Sequence, residues 1–274
     1  MSAPLLELRD VHKVFGEGDT RTVAANGIDL SIAPGEIVGL VGESGSGKST
    51  VANLVLGLVE PDSGDIEFEG RPLAQWLGRE NRAYRAKVQA VFQQPLLALD
   101  QRRTVGWSIA EPLVVHRIGN ATSRRERVVE LLESVGLNAE LAERRPGQLS
   151  GGQLQRVNIA RALTLEPRLL VCDEAVSALD VSVQAQVLDL FLEVQERLGV
   201  AMLFISHNMA VVRHISDSIV VMYHGDVVEQ GQADQVCDSP RSDYARALIG
   251  SWLEPRVPES RESRDPAVRS EASA

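Results

Sequence analysis

The chain has 274 residues, 44% hydrophobic and 24% charged, which is ordinary for a soluble globular protein and enough for one large domain or two small ones. A formal net charge of −10 argues against a sequence-independent grip on nucleic acid, which needs a basic face. No apolar run approaches the roughly 18 residues that cross a bilayer, and Met1-Ser2-Ala3-Pro4-Leu5 lacks the basic start and apolar core of a secretion signal. The expectation is therefore a cytosolic protein that meets any membrane through a partner.

Leu5-Leu6-Glu7-Leu8 reads as a first strand, and Gly27-Ile28-Asp29-Leu30-Ser31-Ile32 alternates as a half-buried one. Pro34-Gly35-Glu36 turns the chain into Ile37-Val38-Gly39-Leu40-Val41, an apolar run suited to a buried strand. Directly behind it stands Gly42-Glu43-Ser44-Gly45-Ser46-Gly47-Lys48-Ser49-Thr50, which fits G-x-x-x-x-G-K-[ST]. A helical pattern through Val51, Leu54, Val55 and Leu58 follows. Strand, glycine loop and helix form the context in which this motif cradles phosphate rather than merely capping a helix. The glycines let backbone N–H groups turn inward, and the helix N-terminus adds positive partial charge. Lys48, one of only three lysines, supplies a full charge to the β- and γ-phosphates, and Ser49 a hydroxyl ligand to Mg²⁺.

Further along, Pro61-Asp62-Ser63-Gly64 marks a turn, and Asp65-Ile66-Glu67-Phe68 alternates again. From about Pro95 to Pro167 no strand pattern appears. Ser123 and Glu126 have capping-box spacing, Val128, Val129, Leu131, Leu132 and Val135 follow at helical intervals, and Gly136 is a plausible stop. Leu169-Leu170-Val171-Cys172 suits a central parallel strand, with Cys172 a buried thiol; Cys237 lies far from it, with no metal-like spacing. The strand ends in Asp173-Glu174. Acids are common in turns after strands, but in a chain with a P-loop this is the Walker B arrangement. Asp173 then holds Mg²⁺ through water, and Glu174 polarises the attacking water. Adjacent carboxylates repel, and a divalent cation relieves that repulsion. Val183 to Leu198 reads as an amphipathic helix closed by Gly199, and Val200 to Ile205 as a second buried strand. Strands at Ser218 to Tyr223 and Val227 to Glu229 flank a hairpin turn at His224-Gly225-Asp226, and the tail beyond Pro255 has a disordered composition.

Leu149-Ser150-Gly151-Gly152-Gln153 is the diagnostic segment. Ser150 and Gln153 have capping-box spacing, yet two glycines in a first turn each weaken a helix by roughly 1 kcal/mol relative to alanine. They make sense if something approaches that backbone closely, and a phosphate at the positive end of the helix dipole is the natural candidate.

Together with Ser177-Ala178-Leu179-Asp180 and Ile205-Ser206-His207, these motifs stand in the order found in ABC-transporter ATPase subunits, which the chain resembles over roughly residues 5 to 235. The resemblance implies an α/β fold: a P-loop NTPase (RecA-like) core with an antiparallel β subdomain and a helical ABC-specific subdomain. Residues 1–94 and 167–236 would form the core with its β subdomain, 95–166 the helical subdomain carrying the signature, and 237–254 a short C-terminal extension, with a disordered tail over 255–274. Phe15 resembles the aromatic that stacks on adenine, and Gln93 the Q-loop glutamine that senses Mg²⁺ and the attacking water. Asp180 resembles the D-loop aspartate, and His207 the switch histidine that holds the γ-phosphate. The other histidines (His12, His116, His214, His224) receive no role.

Val91-Phe92-Gln93, the run from Cys172 to Gln186, Ser206 to Ile215, and Pro240-Arg241-Ser242-Asp243-Tyr244-Ala245-Arg246-Ala247-Leu248 are similar to the oligopeptide and dipeptide importer branch, in particular to the second of its paired ATPases. The chain departs from that pattern at three sites. Ala175-Val176 replaces a usual proline and so loosens the turn after Glu174. Gln94 and Asp100-Gln101 differ in the segment expected to face the membrane subunit. The resemblance implies ATP and Mg²⁺ as cofactors and ATP hydrolysis that energises import of peptides, or of nickel, glutathione or another small solute. Export and a soluble non-transport role are the alternatives. The implied partners are a second ATP-binding subunit facing head to tail, two membrane permease subunits and, indirectly, an extracytoplasmic solute-binding protein. The implied place is the cytoplasmic face of the membrane.

Overall fold

The computed structural model describes residues 3–253, so the expectation for the tail lies outside the described residues. Strands β1 (Leu6–Phe15) and β2 (Thr22–Ile32) form an antiparallel pair. Strand β3 (Ile37–Val41) leads through the glycine loop into α1 (Lys48–Val55). Next come β4 (Ser63–Phe68), β5 (Arg71–Pro72), α2 (Leu73–Arg79), α3 (Asn81–Lys87) and β6 (Val88–Phe92). Only helices and short helical turns separate β6 from β7 (Leu169–Asp173): α4 (Val105–Val115), α5 (Ala121–Ser134) and α6 (Gly151–Leu163). The remainder is α7 (Val181–Leu198), β8 (Ala201–Ser206), α8 (Met209–Ile215), β9 (Ser218–Tyr223), β10 (Asp226–Gln232), α9 (Ala233–Asp238) and α10 (Asp243–Leu253).

Two sheets result. One is antiparallel, in the order β2-β1-β4-β5; the other has the order β10-β9-β3-β8-β7-β6, parallel except for the β9–β10 hairpin. The central strands β3, β7 and β8 are apolar up to their last residue because both faces are covered. On β8, Met202 and Phe204 join the core under the helices, whereas Ala201, Leu203 and Ile205 join the core under α1 and the antiparallel sheet. A third cluster packs α8, α9 and α10 on Val41, Ile219 and Val221. This is the expected α/β P-loop fold.

Several local readings need correction. The first strand does not stop at Leu8: Asp10 takes a left-handed φ of +47° in a bulge, so the buried positions run Leu6, Leu8, Val11 and the alternation slips by one. Leu58 is not on α1 and is 60% exposed. Gly57, at φ +61°, closes that helix with Leu58 N–H bonded to Asn53 O and Gly57 N–H to Leu54 O, a Schellman motif. Gly136 closes α5 in the same way. Ser123 is not the cap of α5. Asn120, three residues earlier, takes that place and exchanges hydrogen bonds with Ser123 at 2.9 and 3.0 Å.

Gly39, in the middle of β3, admits α8. A Cβ there would lie 2.2 Å from Val212 Cγ1 and 2.5 Å from Ser216 Oγ. Gly39→Ala should lower stability by about 1–3 kcal/mol, seen as a melting temperature about 3–10 °C lower. An unchanged melting temperature would contradict this account of the strand–helix contact.

Candidate nucleotide-binding site

Parallel register decides which loops meet. Val41 pairs with Ser206, Ile205 with Asp173, and Asp173 with Phe92. The carboxyl ends of β3, β8, β7 and β6 therefore lie side by side and deliver the glycine loop, His207, Asp173-Glu174 and Gln93 to one edge. Ligands of open α/β sheets bind at that edge.

The glycine loop is shaped by its walls. A Cβ on Gly42 would sit 2.2 Å from Met222 O, and one on Gly47 2.2 Å from Ala24 O, so both positions require glycine. Gly45 faces open space at φ +82°, with Glu43 and Ser44 exposed beside it at the tip. Ser46 is buried and its carbonyl accepts from Gly225 N–H at 3.0 Å. Lys48, 6% exposed, donates from Nζ to Gly42 O at 2.7 Å, Glu43 O at 2.6 Å and Ser46 Oγ at 3.2 Å. Burial lowers its pKa, opposed by the carboxylates of Glu174, Asp173 and Glu43. Thr50 N–H bonds back to Gly47 O and fixes the first turn of α1.

The acids face this lysine. Burial, and then the neighbouring charge of Glu174, raise the pKa of Asp173. A hydrogen bond from Ser49 and the charge of Lys48 act in the opposite direction. Glu174 takes a left-handed φ of +48°, a strained conformation of order 1–3 kcal/mol, while its N–H is held by Ile205 O at 3.0 Å. Its two carboxylate oxygens are shared between neighbours: Oε1 pairs with His207 Nδ1 at 3.0 Å, and Oε2 accepts from Gln93 Nε2 at 3.0 Å. Ser177 completes this group, accepting from Gln93 at 3.2 Å and donating to the Glu174 carbonyl at 3.0 Å. Ser177 was legible as part of a motif but not as a partner of Gln93. The turn that Ala175-Val176 was expected to loosen is closed by Ser177 N–H on Glu174 O and Leu179 N–H on Val176 O, with both side chains buried.

The segment 150–153 lies apart, on the wall formed by α7. Ser150 Oγ accepts from Gln153 N–H at 3.3 Å and Gln153 Oε1 from Ser150 N–H at 3.0 Å, a complete capping box on α6. The close approach at Gly152 comes from within the chain: a Cβ would meet Val183 Cγ1 at 2.6 Å. Ser150 and Gly151 are exposed, Gly151 having only an ordinary contact with Leu179. Asp180 is exposed at the start of α7, makes no side-chain cap bond, and precedes Val181, which is 82% exposed. Phe15 is 42% exposed at the end of β1, paired with Thr22 and covered on one side by Lys13 Nζ, 5.5 Å from the ring centroid. Ala24, two residues along β2 from that pair, touches Gly47, so Phe15 stands on the hairpin that walls the glycine loop.

The ionised Asp173 lowers folded-state stability above its raised pKa, and that penalty vanishes as pH falls through it. Asp173→Asn should accordingly raise the melting temperature of the nucleotide-free protein at neutral pH by about 1–3 °C, with the gain shrinking on acidification. A lower melting temperature at neutral pH would show that burial and the Glu174 charge do not penalise the ionised Asp173.

A glycine cradle with a buried lysine, a hydroxyl–carboxylate pair and a second acid held by a histidine and a glutamine together suit a nucleoside triphosphate and its hydrolysis. The ABC transporter family model matches residues 25–177. The chain is 48% identical to the Glutathione import ATP-binding protein GsiA of Pectobacterium atrosepticum, over 85% of its own length but 37% of that protein's. It is 43% identical to a Putative peptide import ATP-binding protein of Brucella ovis, over 95% of its own length and 82% of the relative's. Among solved structures, the dimeric ATP-binding cassette MJ0796 in a post-hydrolysis state with ADP and Pi superposes with a TM-score of 0.75 at 30% identity, over 83% of this chain and 98% of that one. The chain belongs to the ABC transporter family, as one of its ATP-binding, ATP-hydrolysing proteins.

Proposed function

We propose that this chain energises import of peptides through partner membrane subunits. The observation that carries the ATPase part is the meeting of residues 42–50, Gln93, Asp173-Glu174 and His207 at one sheet edge. The peptide part rests on the Brucella relative, with which the chain aligns over nearly its whole length. Glutathione, itself a short peptide, is the second reading, favoured by the 48% identity to the glutathione importer protein.

In this reading the amides of residues 44–50 and the α1 dipole hold the phosphates, Lys48 bridges the β- and γ-phosphates, and Phe15 stacks on adenine. Ser49, whose hydroxyl opposes the upward pKa shift of Asp173, and Asp173 itself suit Mg²⁺, with Gln93 at its margin. When bound, the ion neutralises phosphate charge and the repulsion between Asp173 and Glu174. Glu174 accepts a hydrogen bond from the attacking water and aligns it with the γ-phosphorus. Gln93 and His207 fix the two oxygens of that carboxylate, and His207 turns its other nitrogen, Nε2, to the γ-phosphate. The cap Ser150-Gly151-Gly152-Gln153, exposed at its first two residues, and the exposed Asp180 close over a nucleotide held by a second ATP-binding subunit facing head to tail, giving paired sites. That the MJ0796 cassette is dimeric with ADP and Pi bound supports the pairing.

No helix among the described residues is long and apolar enough to cross a membrane, so two permease subunits would form the pathway and the chain would sit peripherally on their cytoplasmic face. A solute-binding protein outside would deliver cargo. Closure on ATP and opening after hydrolysis move the permeases only if the two states bind nucleotide with different affinity. We assign residues 95–166 as the helical subdomain and residues 237–254 as a C-terminal extension.

Glu174→Gln should keep ATP affinity and lower turnover by about 10²–10⁴-fold, measured as phosphate release by the assembled complex. Wild-type turnover would remove Glu174 from the role. Lys48→Ala should weaken ATP binding by about 10- to 100-fold in calorimetry, and unchanged affinity would refute the phosphate contact.

A further inference from the structure

The outer wall of the glycine loop is built from the β9–β10 hairpin and α10. Glu229 on β10 accepts from the N–H groups of Arg241 and Ser242 at 2.8 and 2.9 Å, and Ser242 Oγ caps α10 through Ala245 N–H at 3.0 Å. Ala245, Leu248 and Ile249 then bury this helix against the core shared with Val41, the residue before the loop. These anchors fix Tyr244 in the first turn of α10. Its ring packs on Tyr223, 4.3 Å between centroids, and Tyr223 packs on His224 at 4.2 Å. The same hairpin supplies Gly225 N–H to Ser46 O and the Met222 carbonyl against Gly42.

The hydroxyl of Tyr244 accepts from Glu43 N–H at 3.1 Å. That N–H belongs to the peptide unit whose carbonyl, Gly42 O, accepts from Lys48 Nζ at 2.7 Å. One planar unit is therefore held from both sides: ammonium on the carbonyl, phenol oxygen on the amide hydrogen. Planarity makes the two bonds interdependent, since rotating one group turns the other. In a partly buried site such a chain of bonds is also mutually polarising. Glycine at 42, at φ +158°, offers little resistance of its own to that rotation.

We propose that Tyr244 is a positioning residue for nucleotide: by pinning the Gly42–Glu43 peptide it sets the rest position of Lys48 and the mouth of the phosphate cradle, so the C-terminal helix tunes nucleotide affinity. This inference rests on the phosphate role assigned above to residues 42–50. It is tested by calorimetric titration of the full chain with Mg–ATP and Mg–ADP, comparing Tyr244→Phe, Tyr244→Ala and Lys48→Ala, with melting temperatures alongside. Tyr244→Phe keeps the ring stack and removes the acceptor. It should raise Kd for both nucleotides about fivefold, with a melting temperature within about 2 °C of the parent and kcat of the assembled complex at saturating ATP unchanged. Tyr244→Ala should weaken binding at least as much. Parental affinity in Tyr244→Phe, beside a large loss in Lys48→Ala, overturns the positioning role and leaves the cradle standing. Loss only in Tyr244→Ala overturns it equally, since packing and not the hydroxyl would then be responsible. Parental affinity in Lys48→Ala overturns the cradle itself and this inference with it.

Discussion

The site depends on one constraint: the register of four adjacent parallel strands. Because Val41, Ser206 and the pair Asp173 and Phe92 end their strands at one level, four loops far apart in sequence open onto a single edge. A slip of one residue in β7 would send Asp173 to the opposite face and bury Cys172 on the wrong side of the sheet. The apolar alternation of β7 and β8 between two cores forbids that slip. Packing that stabilises the fold thus also aims the chemistry.

Electrostatics within that edge is unbalanced. Lys48 is nearly buried, with its ammonium held by two carbonyls and a hydroxyl rather than by a carboxylate. Asp173 and Glu174 are adjacent acids, one with a raised pKa and the other on a strained backbone. A polyanion complements the first arrangement and a divalent cation the second, so a metal–triphosphate complex satisfies both at once. The α6 cap lies on a different wall, with Ser150 and Gly151 exposed to solvent.

The sequence was informative where the physics is local. The glycine loop, the capping box at Ser150 and the left-handed stop at Gly199 each depend on a few consecutive residues, and all were legible. Readings failed where a nearby competitor was overlooked: Gly57 ends α1 before Leu58, Asn120 caps α5 ahead of Ser123, and the bulge at Asp10 carries β1 onward. Gly152 is a subtler case. A close approach was rightly inferred from its residue type, but the approaching atom belongs to Val183 of the same chain. The Glu43–Tyr244 contact had no signal at all, because it spans 201 residues and arises from how α10 packs on the hairpin.

The most direct measurement is a structure of the chain, with its paired subunit, bound to a non-hydrolysable ATP analogue. Lys48 Nζ, still held by Gly42 O, should lie about 3 Å from β- and γ-phosphate oxygens, with a Ser150 cap from the facing subunit on the far side of the γ-phosphate. A lysine out of reach of the phosphate oxygens, or a γ-phosphate with no such cap against it, would contradict the account.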